Sequence, residues 1–113
     1  MRETKKWVRM TRAEEAAFNQ KQRDKYRQNQ YGLSPAAFDA LLHGQGDVCA
    51  ICRKANWNGK GPNVDHDHAT GKVRGLLCPK CNTALGVAED DLQRLRAMVT
   101  YLEEANAEMR EIQ

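Results

Sequence analysis

Residues 49–82 read CAICRKANWNGKGPNVDHDHATGKVRGLLCPKCN, and this stretch decides how the chain folds. It opens with Cys49 and Cys52 and closes with Cys78 and Cys81, each pair spaced CxxC, with 25 residues between Cys52 and Cys78. A two-residue gap lets both thiolates of a knuckle face one point, and two knuckles supply the four sulfurs that tetrahedral Zn²⁺ binds at about 2.3 Å. Four protein ligands close the coordination sphere, so the site is structural. The separation exceeds the roughly 15–20 residues of a simple ribbon, so the knuckles enclose an insertion. An iron–sulfur or redox site and free core thiols are the competing readings, and a redox CxxC leaves the second pair unexplained.

The rest of the chain explains why a staple is needed. With 113 residues there is room for one domain with appendages. Leu, Ile, Val and Phe number only 19, a supply that goes with disorder when net charge is high, but the net charge is +3. A chain so poor in large apolar residues is expected to need metal or covalent cross-links. No apolar run approaches the roughly 18–20 residues of a membrane span. The N-terminal MRETKKWVRMTRAEEAAF begins with basic residues but lacks the apolar stretch of a secretory signal. The expected location is therefore intracellular, in the cytoplasm, where paired cysteines hold metal more often than they form disulfides.

Inside the insertion, Asn63 to His66 and Lys72 to Leu77 are short apolar stretches that read as strands, with a turn around Ala69 to Gly71. Pro79 suits a first helical position and Gly86 a stop, so the order is strand, strand, helix. The run Val64-Asp65-His66-Asp67-His68 concentrates histidine and carboxylate. If it stays extended, Asp65 and Asp67 lie on one face and His66 and His68 on the other; a strand ending near His66 relaxes that restriction. Asn82 follows the last cysteine, which holds it near the hairpin, where its amide oxygen could join Asp65 as a hard oxygen ligand suited to Mg²⁺.

The flanks differ in charge: residues 1–30 carry nine Lys and Arg against four acids, residues 87–113 three against seven. Residues 12–30 should form a polar helix with Thr11 as N-cap and Glu14 completing a capping box, interrupted by Gly32. Arg9, Arg12, Lys21, Arg23, Lys25 and Arg27, with Tyr26 and Trp7, form a candidate phosphate-tracking element, with a solvated helix as the bland alternative. Ser34 and Pro35 open a second helix through Leu42, ended near Gly44. In the last segment, from Glu89 to Gln113, the acids Glu89, Asp90 and Asp91 suit a helix N-terminus. Leu92, Leu95, Val99, Leu102, Asn106 and Met109 then make a heptad stripe. This helix either packs on the core of its own subunit or forms a homodimer seam whose register Asn106 sets.

CAICRK together with VDHDHATGKVRGLLCPKCNTALG closely resembles recombination endonuclease VII, a branch of the His-Me finger (HNH, ββα-metal) nucleases. YGLSPAAFDALL before it and EDDLQRLRAMVTYL after it extend the resemblance over residues 31–102. The resemblance implies an α+β fold, a small zinc-stapled ββα-metal core flanked by N- and C-terminal helices. It implies His66 as the general base that activates water, Asp65 and Asn82 as holders of a catalytic Mg²⁺ or Mn²⁺, and His68 as the histidine that holds the scissile phosphate. It also implies a phage or bacterial source. One helical turn after Asn82, where family members can carry an acid, stands Leu85. Independently of the family, phosphodiester hydrolysis requires a base of near-neutral pKa and a cation to offset growing charge.

The expected organisation is a basic helical extension over 1–30, a zinc-bound nuclease core with its preceding short helix over 31–86, and an amphipathic helix over 87–113. The expected function is metal-dependent endonucleolytic cleavage of DNA, with the resemblance favouring branched substrates of the Holliday-junction type. The alternatives are a nicking or relaxed-specificity HNH endonuclease and a non-catalytic zinc module that binds nucleic acid. Arg74, Lys72, Arg23 and Arg27 are weaker candidates for DNA contact, and Asp67 either orients a histidine or begins the hairpin turn.

Overall fold

A cap begins the described part of the chain. In the computed structural model, which describes residues 9–59 and 61–112, Thr11 Oγ1 accepts from the Glu14 backbone N–H at 3.1 Å and the Glu14 carboxylate accepts from the Thr11 N–H at 3.2 Å. This reciprocal pair starts α1 (Arg12–Tyr31), and Gly32 ends it in the left-handed region at φ 65°, a conformation glycine adopts without a Cβ clash. Ser34 Oγ accepts from the Ala37 N–H at 3.1 Å, and Pro35 opens α2 (Pro35–Gly44). Trp7, expected beside the basic helix, lies outside the described residues.

Strands β1 (Asn63–His66) and β2 (Val73–Leu77) pair antiparallel. Asp67 turns the chain between them: its Oδ1 accepts from the N–H groups of Ala69 at 2.8 Å and Thr70 at 3.0 Å. Those donors hold its carboxyl below the ordinary aspartate value. Cys78 then caps α3 (Pro79–Val87). Among the described residues the protein is a small α+β fold of four helices and one two-stranded sheet.

The core is as small as the composition requires. Its fully or nearly buried apolar members are Phe38, Cys49, Leu76, Leu77, Cys78 and Ala88. Cys49, Leu77 and Cys78 form one cluster with Trp57, Cys81 and Leu85 packed against it. The knuckles are therefore the centre of the hydrophobic core. Gln45, just after α2, ties that helix to β2: its amide donates to Leu76 O at 2.9 Å and accepts from Leu76 N at 2.8 Å. A side-chain amide thus does for Leu76 what a third strand would do.

Two expectations for the C-terminal segment need correction. The acids Glu89 and Asp90 do not start a helix; both have left-handed backbone, at φ 58° and 54°. They form a turn after α3, and Asp91 Oδ1 instead caps α4 (Leu92–Ile112) by accepting from the Arg94 N–H at 3.1 Å. Short polar side chains tolerate αL, so three acids in a row can make a turn and a cap as well as a first turn. Nor does α4 pack on the core of its own subunit. Leu92, Val99, Leu102 and Met109 are 66%, 55%, 58% and 60% exposed. The turn at Glu89 and Asp90 sends the helix away from the remainder of the fold. No helix among the described residues is long and apolar enough to cross a membrane.

Candidate active site

The sulfurs come first because they hold the rest in place. Candidate ligand atoms of Cys49, Cys52, Cys78 and Cys81 all lie within 4.8 Å of one another, and Cys52 Sγ and Cys78 Sγ are 3.9 Å apart. A tetrahedron with Zn–S bonds of about 2.3 Å has sulfur–sulfur edges of about 3.8 Å, so the cluster fits a structural metal such as zinc. The Ile51 N–H points at Cys49 Sγ at 3.4 Å and the Cys81 N–H at Cys78 Sγ at 3.5 Å. Burial pushes the Cys49 thiol up, but backbone N–H groups of Cys78, Cys52 and Ile51 outweigh it and bring the pKa down to about 6. Burial, followed by hydrogen bonds from the other three cysteines, pushes Cys81 up to about 12.

The knuckles fix β1 against α3, and between them is a cavity of about 250 Å³ lined by Asp65, His66, His68 and Asn82, with Tyr31 and Asp90 at its border. A flat strand would separate Asp65 from His66 and His68. The ladder is irregular at this point: Asp65 pairs with Gly75, but His66 pairs with Val73. Arg74 is the extra residue of the resulting bulge, and β1 ends at His66. A bulge bends the strand that carries it, so it re-aims Arg74 on β2, while the end of β1 at His66 frees His68 from strand alternation. Asp67, by contrast, is committed to the turn.

The imidazole of His66 sits between two rings, 5.2 Å from Tyr31 and 4.8 Å from His68, centroid to centroid. Tyr31 in turn meets Tyr26 edge-on at 6.2 Å. Burial, then the neighbouring Tyr26, raises the Tyr31 phenol above its ordinary value, so it is neutral at physiological pH. Asp65 is held by Arg74, whose Nε and Nη2 donate to its two oxygens at 2.8 and 2.9 Å, while the same Nη2 donates to Asp90 at 3.2 Å. That hydrogen bonding raises the Arg74 guanidinium above its usual value.

The remaining basic candidates separate. Arg23 lines a groove of about 590 Å³ between α1 and the hairpin, which shares Tyr31 and Asn82 with the smaller cavity. Lys72 is exposed at the start of the return strand. Arg27 lines the same groove as Arg23, although it is only 8% exposed and lies over the Phe38 ring at 3.7 Å. Burial lowers its pKa from the usual arginine value. Tyr31 and Asp90 were not singled out as site residues from the sequence. Tyr31 carries no local signal beyond ending a helix, and Asp90 lay within an acidic run that suited a helix start.

Residues 24–104 match the family model described as recombination endonuclease VII. Among curated proteins, Gene 59 protein of Mycobacterium phage D29 is 45% identical over 73 residues, covering 64% of this chain and 44% of that relative. Gene 59 protein of Mycobacterium phage L5 is 42% identical over 73 residues with the same coverage, 64% and 44%. The matched stretch therefore spans less than half the length of these phage relatives. No solved structure matches the chain.

Proposed function

The chain belongs to the recombination endonuclease VII family, and from that premise we propose that it is a metal-dependent DNA endonuclease of the His-Me finger (HNH) type acting on branched DNA. The observation that carries this reading is the convergence of Asp65, His66, His68 and Asn82 on one cavity. In this reading residues 31–86 are the nuclease core, α1 is a basic arm and α4 an assembly element.

His66 is the general base. It takes a proton from the attacking water, and its ring packs against those of Tyr31 and His68. His68, exposed at the mouth of the cavity, meets the scissile phosphate. Asp65 and Asn82 offer a carboxylate and an amide oxygen, a donor set that suits Mg²⁺ or Mn²⁺. When bound, such an ion offsets charge on the phosphate and on the departing 3′ oxygen. The knuckle cysteines hold zinc and keep β1 and α3 in register. Arg23, facing the adjoining groove, is the basic residue best disposed to track a DNA strand.

Resolution of a branch needs paired cuts, which two active sites in a symmetric dimer supply. The unpartnered heptad stripe of α4, with Asn106 at one a position, supports a homodimer built through that helix. The test is incubation of the purified protein, with Mg²⁺ or with chelator, on a synthetic four-way junction and a matched linear duplex. Symmetric cuts in the junction that need Mg²⁺ are the expected result. Equal cutting of linear duplex by a monomer would favour a nicking nuclease, and no cutting of either would leave a non-catalytic zinc module.

A further inference from the structure

The carboxylate assigned to the divalent ion has a cationic partner within the chain. Arg74 engages both oxygens of Asp65, Nε to Oδ2 at 2.8 Å and Nη2 to Oδ1 at 2.9 Å. This is the parallel fork that makes arginine the strongest side-chain partner of a carboxylate. Its Nη2 also donates to Asp90 Oδ2 at 3.2 Å. The side chains of Asp65 and Asp90 are 13% and 29% exposed, more shielded than an ordinary surface pair.

The backbone is arranged to bring these three groups together. Gly75 is the register partner of Asp65, so in an unbroken ladder Arg74 would project from the opposite face of the sheet. The bulge at Arg74 removes that separation. Asp90 reaches the same cavity from the end of α3, carried by two successive left-handed residues, Glu89 and Asp90.

We propose that Arg74 competes with the divalent ion for Asp65: it links Asp65 to Asp90 and yields Asp65 when Mg²⁺ or Mn²⁺ binds, while Asp90 retains the released guanidinium. The proposal rests on the reading of Asp65 and Asn82 as the ion's holders. Two carboxylates and one guanidinium leave a net charge of −1. An approaching dication meets a like charge and a carboxylate whose hydrogen bonds must be given up, so Arg74 lowers ion affinity. Asp90 raises it, both by its own charge and by drawing the guanidinium from Asp65. A residue that only scaffolds Asp65 would act in the opposite sense, because its loss would disorder the ligand.

Mn²⁺ binding to the zinc-loaded full chain, measured by isothermal titration without DNA, separates the two. Arg74→Gln should bind Mn²⁺ more tightly, by up to about fivefold, the range expected on breaking a partly exposed ion pair. Asp90→Asn should bind it more weakly by a similar factor. Arg74→Lys, which keeps the charge but loses the fork, should fall between wild type and Arg74→Gln. If Arg74→Gln does not give a cooperative thermal transition, Arg74→Lys carries the test alone. Affinity equal to or below wild type in the folded Arg74 variant overturns the proposal, and affinity equal to or above wild type in Asp90→Asn overturns the part given to Asp90. Asp65→Asn combined with Asn82→Ala tests the underlying reading. Wild-type Mn²⁺ affinity in that double variant removes the ion site itself, whereas its loss there without tightening in the Arg74 variants removes only the role of Arg74.

Discussion

The phenol ring of Tyr31, the last residue of α1, packs against the imidazole of His66 at 5.2 Å between centroids. A helix that by sequence is a polar, basic extension therefore ends inside the candidate active site. The contact joins the groove where Arg23 lies to the cavity where His66 lies, so a strand of nucleic acid following α1 would be led to the proposed base.

Replacing His66 by Ala should reduce strand cleavage by about 10²- to 10⁴-fold, the contribution usual for a general base. Zinc content and DNA affinity should stay near wild type. Tyr31→Leu should lower kcat by several-fold and change KM less, because the ring's closest contact is with the proposed base, and Tyr31→Phe should restore it. Single-turnover cleavage assays with a separate DNA-binding titration check both, and full activity in His66→Ala would reject the assigned base.

Cys78 belongs at once to the cysteine cluster, to the buried core and to the cap of α3. Cys78→Ser should abolish the cooperative thermal transition of the hairpin and α3, as should a strong chelator on the wild type, because coordination energy of about 10 kcal/mol or more is folding energy in small zinc sites. Calorimetry with zinc analysis provides the check. An unchanged transition would separate the cluster from folding.

Leu102 is 58% exposed at a d position of the stripe. Leu102→Glu should convert a dimer to a monomer in sedimentation while altering the stability of the isolated subunit by no more than about 0.5 kcal/mol, as for other exposed positions. A wild-type chain that sediments as a monomer at all concentrations would remove α4 as a seam.

The Asp67 carboxylate is held below its ordinary pKa by the N–H groups of Thr70 and Ala69. Its contribution to the hairpin is complete above the ordinary aspartate value and disappears as pH falls through the depressed folded value. The turn should therefore loosen only in acid, below the usual aspartate range, and Asp67→Asn should remove that step. Amide exchange at Ala69 and Thr70 against pH measures it, and an identical acid step in the variant would contradict the assignment.

Much of the fold could be read locally. Thr11 with Glu14, Ser34 with Pro35, and the Asp67 turn are each settled within four residues, and all three are present. The cysteine cluster was equally legible, because CxxC geometry is covalent in origin. The acidic run is ambiguous in the sequence, because such side chains suit a helix start and a turn alike; Glu89 and Asp90 take the turn and Asp91 the cap. Gln45 gave no warning of its role, since its partner Leu76 is 31 residues away. Arg27, a candidate for DNA contact by charge alone, lies over Phe38 while lining the groove.

By itself the sequence determined the cysteine knuckles, the helix caps, the hairpin and the family, since these depend on residue types at short, fixed spacings. Only the tertiary structure decided which side chains share the cavity. The bulge at Arg74, the pairing of Arg74 with Asp65 and Asp90, the ring of Tyr31 on His66 and the exposure of α4 all depend on ladder register and on the direction of a turn. A shift of one residue in a ladder moves side chains from one face to the other, and no local pattern encodes that shift.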